Sequence, residues 1–137
     1  MNRENKRKQY EKGYYKTHAC EESFTCLNCG RLVVFVEDAG GVLRVVPGLP
    51  GTFQPDLPAI EAAINEKTAV FLLNSPNNPS GVVLSRESLT DLCALLERKQ
   101  REYGHPIYVV ADEPYRELVY GGTEVAFIPA MYANTVY

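Results

Sequence analysis

Two polar turns, each placed directly after a short apolar run, constrain this chain more than anything else in it. The first is Asn74-Ser75-Pro76-Asn77-Asn78-Pro79-Ser80-Gly81, which follows Ala69-Val70-Phe71-Leu72-Leu73 and precedes an amphipathic run starting near Ser85. Its prolines and glycine exclude a regular helix or strand there, so the order reads strand, turn, helix. Its asparagines can bond locally and can also point amides at a ligand. The second turn, Ala111-Asp112-Glu113-Pro114-Tyr115-Arg116-Glu117, follows the next apolar run, Ile107-Tyr108-Val109-Val110-Ala111. In an open α/β sheet, ligands sit in the crevice beyond the carboxyl ends of the strands. Both turns occupy such ends, so Asn78, Asp112 and Tyr115 are expected to face one pocket.

The unit joining the turns is the best defined in the chain. Five apolar residues in a row, Ala69 to Leu73, predict a strand covered on both faces. Ser85 predicts an N-cap, with Glu87 at the positive end of the helix dipole. Leu89, Leu92, Cys93 and Leu96 follow helical spacing, while Glu97, Arg98, Lys99, Arg101 and Glu102 make the opposite, charged face. Gly104 predicts the left-handed residue that ends the helix, and Pro106 prevents continuation. Strand, helix, strand with so long a connection implies a parallel pair. Cys93 reads as a small core residue rather than a nucleophile.

Upstream, Asp56 and Pro58 predict the start of a short helix with Leu57, Ile60, Ala63 and Ile64 on its apolar side. The β-branched run Val42-Leu43-Arg44-Val45-Val46, bracketed by glycine and proline turns, predicts a short strand. Downstream, Leu118-Val119-Tyr120 reads as a short strand or a loop, and Thr135-Val136-Tyr137 as the opening of a further strand.

The first 34 residues differ in character, being charged and lacking any Leu, Ile or Val before Leu27. Too little apolar surface offsets their ordering entropy, so residues 1–34 are expected to form a flexible leader. Within it Cys26 and Cys29 have the spacing by which two thiolates grip one tetrahedral Zn²⁺. Zinc needs four ligands, and Cys20, His18, Cys93 and His105 are the remaining candidates. Four cysteines, one CxxC pair and no apolar signal segment point to a reducing cytoplasm. A net charge of -3 gives no basic footprint for nucleic acid. The longest apolar run is too short to span a membrane.

An aspartate just beyond a buried strand needs a cation or a hydrogen-bond network. A protonated pyridine nitrogen is such a cation, and a nearby phenol and amide can reach the same ring's phenolic oxygen. Residues from about Phe35 to Tyr137 resemble the middle of the large domain of a class I/II (fold type I) pyridoxal-phosphate-dependent aminotransferase. Asn74 to Gly81 resembles the family's Asn-Pro-Asn-Asn-Pro-Thr-Gly motif, and Asp112-Glu113-Pro114-Tyr115 its Asp-Glu-x-Tyr motif. The resemblance implies an α/β fold, a partial parallel sheet with crossover helices over residues 35–137. It implies pyridoxal 5'-phosphate as cofactor, with Asp112 on the ring nitrogen and Asn78 and Tyr115 on the ring's phenolic oxygen. It also implies amino acid and 2-oxo acid substrates, and a homodimer for the full-length relative. The family's Schiff-base lysine would lie beyond Tyr137, so no catalytic residue is assigned and these residues alone are expected to be inactive. Residues 13–34 resemble the start of small RNHCP-type zinc-ribbon proteins, through Thr17-His18-Ala19-Cys20-Glu21-Glu22-Ser23-Phe24-Thr25-Cys26-Leu27-Asn28-Cys29-Gly30. That makes a small zinc-binding protein with a vestigial α/β segment the alternative reading.

Overall fold

A computed structural model describes residue 36, residues 40–78 and residues 80–137. The chain divides into two units, Met1–Pro47 and Gly48–Tyr137. In the first, residues 41–47 form no helix or strand. The strand expected at Val42 to Val46 is therefore absent, and Val42 is 84% exposed. Branched side chains favour a strand only when a neighbouring strand and a packed face receive them, and no described strand pairs with this run.

The second unit opens with α1, Leu57–Ala63, started by Asp56, whose Oδ1 accepts from Ala59 N at 3.0 Å. Strand β1, Val70–Asn74, follows. The long helix α2, Arg86–Tyr103, leads to β2, Tyr108–Asp112. A 3₁₀ turn, Ile128–Ala130, precedes β3, Thr135–Val136. The sheet order is β1-β2-β3, parallel throughout, with Val70 opposite Tyr108 and Val109 opposite Thr135.

Helix α2 is held at both ends by local chemistry. Ser85 Oγ accepts from Ser88 N at 3.1 Å, and Gly104 adopts φ 74°, the left-handed conformation that a side chain would strain. Gln54 steadies the approach: its Oε1 accepts from Ser85 N at 2.9 Å and its Nε2 donates to Val83 O at 3.2 Å. The buried side of α2 carries Leu89, Leu92, Cys93, Leu95 and Leu96. Each leucine so covered contributes roughly 1.5–3 kcal/mol. Ile60, Ile107, Val109, Ala111, Ile128 and Tyr132 complete this core.

The sheet is covered unequally. In β2 the burial alternates, with Val109 and Ala111 buried and Tyr108 and Asp112 exposed. Register places Phe71 and Leu73 on the side of Val109 and Ala111, and Val70 and Leu72 on the side of Tyr108 and Val110. Val70, Tyr108 and Val136 are all exposed. The expectation that β1 is covered on both faces is thus corrected, because among the described residues one face of the sheet carries the core and the other lies open.

Candidate functional site

Strands β1 and β2 end side by side. Asn74 closes one, Asp112 closes the other, and they are register partners, so their side chains leave the sheet on the same face. Asn74 Nδ2 donates to Asp112 Oδ2 at 2.7 Å. Asn77 Nδ2 donates to Asn74 Oδ1, also at 2.7 Å. Ser80 Oγ donates to Asn77 Oδ1 at 2.9 Å. Asn77 and Ser75 are buried, and Ser75 Oγ accepts from Leu84 N at 3.0 Å. Gly81, at φ 68°, turns the chain back so that its N–H donates to Asn77 O at 2.8 Å. The first turn therefore satisfies its own buried polar groups, as a rigid loop must.

An ion pair shapes the second turn. Arg116 Nη1 lies 2.5 Å from Glu113 Oε2, and the Glu113 side chain is only 4% exposed. The same guanidinium donates to Val125 O at 2.9 Å and to Ala126 O at 3.2 Å. This ties residues 113–116 to the later segment and sets where Tyr115 stands. Asn78 Nδ2 donates to Tyr115 Oη at 3.2 Å, linking the tips of the two turns. The phenol accepts in that bond, so its own hydrogen remains available, as does the second hydrogen of the Asn78 amide.

Between the turns lies an open hollow of about 470 Å³, lined by Asn78 and Tyr115 together with Pro76, Val83, Leu118 and Tyr120 among others. Among the described residues no charged side chain lines it. The expectation that Asn78, Asp112 and Tyr115 face one pocket is met for the amide and the phenol. Asp112 sits at the same sheet end but does not line the hollow, because its carboxylate is turned to Asn74. Asn74, Asn77 and Arg116 are additions to the sequence reading. The signal for Asn74 was an asparagine and an aspartate at matching ends of adjacent parallel strands.

Other candidate groups lie elsewhere. Lys99 Nζ donates to Glu102 Oε2 at 2.9 Å, and this hydrogen bond raises its pKa, so its amine stays charged and tied. Lys67 lies in the turn before β1, at the opposite end of that strand; Lys6, Lys8, Lys12 and Lys16 fall outside the described residues. Burial first, and the Glu97 charge second, push the Cys93 thiol up, as suits a core residue. Cys26 and Cys29 also fall outside the described residues. Among the described residues no cluster of His, Cys, Asp or Glu could hold a metal ion. No described helix is long and apolar enough to cross a membrane.

In an open parallel α/β sheet the crevice beyond the strand ends, where amide, phenol and carboxylate gather here, is where ligands generally bind. The family described as aminotransferase class I and II matches residues 31–136. The chain belongs to that family. It is similar to the aspartate aminotransferase of Thermotoga maritima, 41% identical over 83 residues, covering 60% of this chain and 20% of that protein. It is similar also to human kynurenine–oxoglutarate transaminase 1, 29% identical over 120 residues, covering 85% of this chain and 27% of that protein. Among solved structures, an amino transferase from Eubacterium rectale matches with a TM-score of 0.72 and 50% identity, covering 74% of this chain and 26% of that one. Thermus thermophilus aspartate aminotransferase with maleate matches with a TM-score of 0.61 and 36% identity over 75% of this chain and 26% of that one. The chain thus spans about a fifth to a quarter of the length of these relatives, and it is a fragment of an aminotransferase fold. The zinc-ribbon alternative finds no support.

Proposed function

We propose that this chain supplies part of the pyridoxal 5'-phosphate site of a transaminase, which moves an amino group from an amino acid to a 2-oxo acid. The observation that carries the reading is the meeting of the two turns at the ends of β1 and β2, with Asn78 on Tyr115 and Asn74 on Asp112. The donor set fits the cofactor's ring. Asp112 is an exposed anion with no cation beside it among the described residues, and a protonated ring nitrogen would be its counter-charge. Asn78 and Tyr115 each keep a hydrogen to give to the ring's phenolic oxygen. When bound, the cofactor would act as an electron sink for the substrate's α-carbon. The chain's residues hold the ring's charge pattern: an anion keeps the nitrogen protonated, and two donors stabilise the oxygen.

On the same reading neither described lysine supplies the amine that would hold the cofactor. Lys99 is bound to Glu102 and lies beside Glu61 of α1, and Lys67 stands before β1, about five residues of strand, roughly 17 Å, from Asn74. Neither can serve as an amine at this site.

Equilibrium titration with pyridoxal phosphate, followed by its absorbance, tests the proposal. Uptake is expected, with Asp112→Ala weakening it at least about tenfold through loss of the counter-charge. Uptake unchanged by Asp112→Ala would overturn the site assignment. Borohydride reduction followed by peptide mapping is expected to leave Lys67 and Lys99 without a stoichiometric pyridoxyl label, and a stoichiometric label on either would overturn the claim that neither serves this site.

A further inference from the structure

The chain of side-chain bonds behind Asp112 has a direction, and an anion sets it. A carboxylate can only accept, so the neighbouring asparagine must turn its NH₂ toward it. Asn74 then presents its oxygen to the other side, where Asn77 must donate; Asn77 in turn presents its oxygen to Ser80. The distances, 2.7, 2.7 and 2.9 Å, leave no link of this relay slack. Without the charge at its end the Asn74 amide could flip, and the Asn77 amide would be held only from its far side, where its Oδ1 also accepts from Ser80 N at 3.5 Å. Asn77 is buried, so it has little water with which to exchange partners.

We propose that Asn74 and Asn77 are positioning residues. They form a one-way amide relay that engages Oδ2 of Asp112 and leaves Oδ1, which has no described protein partner, for a protonated ring nitrogen. The ligand half of this inference rests on the pyridoxal phosphate reading above; the relay stands on its own geometry. Asn74 touches no reacting atom. It holds the carboxylate in one rotamer, so that binding the ring costs less side-chain entropy.

The test compares pyridoxal phosphate with an analogue in which a carbon replaces the ring nitrogen, on the full 137-residue chain. Asn74→Ala is expected to weaken pyridoxal phosphate about tenfold, the worth of one charge-assisted bond, while the carbon analogue changes less than about twofold. Equal losses for both compounds would mean that Asn74 merely braces the strand ends, and would overturn the proposal. The exchange Asn74→Asp with Asp112→Asn keeps a donor–acceptor pair across the strands with the anion on the wrong one. It is expected to melt near the parent and to show no preference for the nitrogen-bearing ring, and a restored preference would refute the positioning role. A cofactor-free measurement separates the two readings. The side-chain amide signals of Asn77 in nuclear magnetic resonance are expected to shift and to exchange faster in Asp112→Asn. Signals unmoved by that change would refute the relay whatever binds. If the parent chain takes up neither ring compound, the pyridoxal phosphate reading fails and the Asn77 signals alone decide the relay.

Discussion

The two ends of the β1–β2 pair meet the same need in opposite ways. At the amino end, His105 lies between two carbonyls, with Nε2 2.9 Å from Glu66 O and Nδ1 3.1 Å from Pro106 O. Both partners accept, so only the charged ring can donate to both, and Tyr103 stacks beside it at 6.3 Å. Both ring nitrogens of His105 are used up in joining the segments that lead into the strands. At the carboxyl end the strands are joined as firmly, through Asn74 and Asp112, yet groups remain unspent: one carboxylate oxygen, a phenol hydrogen and an amide hydrogen. The contrast is that the internal bonds of the proposed site leave directed donors and an uncompensated charge, whereas those of His105 leave no ring donor free. Changes at the amino end are expected to move stability without moving cofactor uptake.

That contrast can be broken by experiment. The largest effect is expected at Arg116→Ala, which leaves the buried Glu113 carboxylate without its cation. Loss of one partner of a buried pair costs roughly 3–5 kcal/mol, and partial exposure of Arg116 puts this case at about 3 kcal/mol, read as a fall in urea midpoint. Because the Arg116 bonds also set where Tyr115 stands, pyridoxal phosphate uptake is expected to fall with it. Tyr132→Phe comes next. The buried Tyr132 hydroxyl donates to Ile107 O at 2.7 Å, and burial pushes its pKa up. Its removal orphans that carbonyl at a cost of about 1–2 kcal/mol, with uptake unchanged. Ser85→Ala removes the cap of α2 and should cost about 1 kcal/mol by thermal melting. The smallest effect belongs to His105. Hydrogen bonds to the Pro106 carbonyl and then to the Glu66 carbonyl raise its pKa above the ordinary value. Its stabilising contribution is therefore complete below about pH 6.5 and is lost as pH rises through the folded-state value. The parent's denaturation midpoint should drift down across that window, and the drift should vanish in His105→Ala. A drift that persists would place the titrating group elsewhere.

The open face of the sheet bears on the same comparison. Val70, Tyr108 and Val136 are exposed there, and register puts Asn74 and Asp112 on that face too. Stability therefore rests on the side facing α2, and the polar strand ends contribute geometry more than burial.

Much of this could be read along the chain, because it depends on neighbours in sequence. Helix α2 runs from its serine cap to its left-handed glycine as local bonding requires, and its apolar spacing named Leu89, Leu92, Cys93 and Leu96 for the core. The strand at Thr135 and Val136 and the capped start of α1 were legible for the same reason. The two motif turns marked Asn78, Asp112 and Tyr115, since prolines and glycine fix the turns and apolar runs fix what precedes them. Three matters lay beyond local chemistry. Val42 to Val46 has the composition of a strand but has no described partner to pair with, and pairing is a property of distant chain. Which face of β1 is covered depends on where α2 packs, since continuous apolar runs carry no facing signal. The bond between Asp112 and Asn74 follows from register, because an asparagine thirty-eight residues earlier in the chain becomes a donor to it only when β1 and β2 lie side by side.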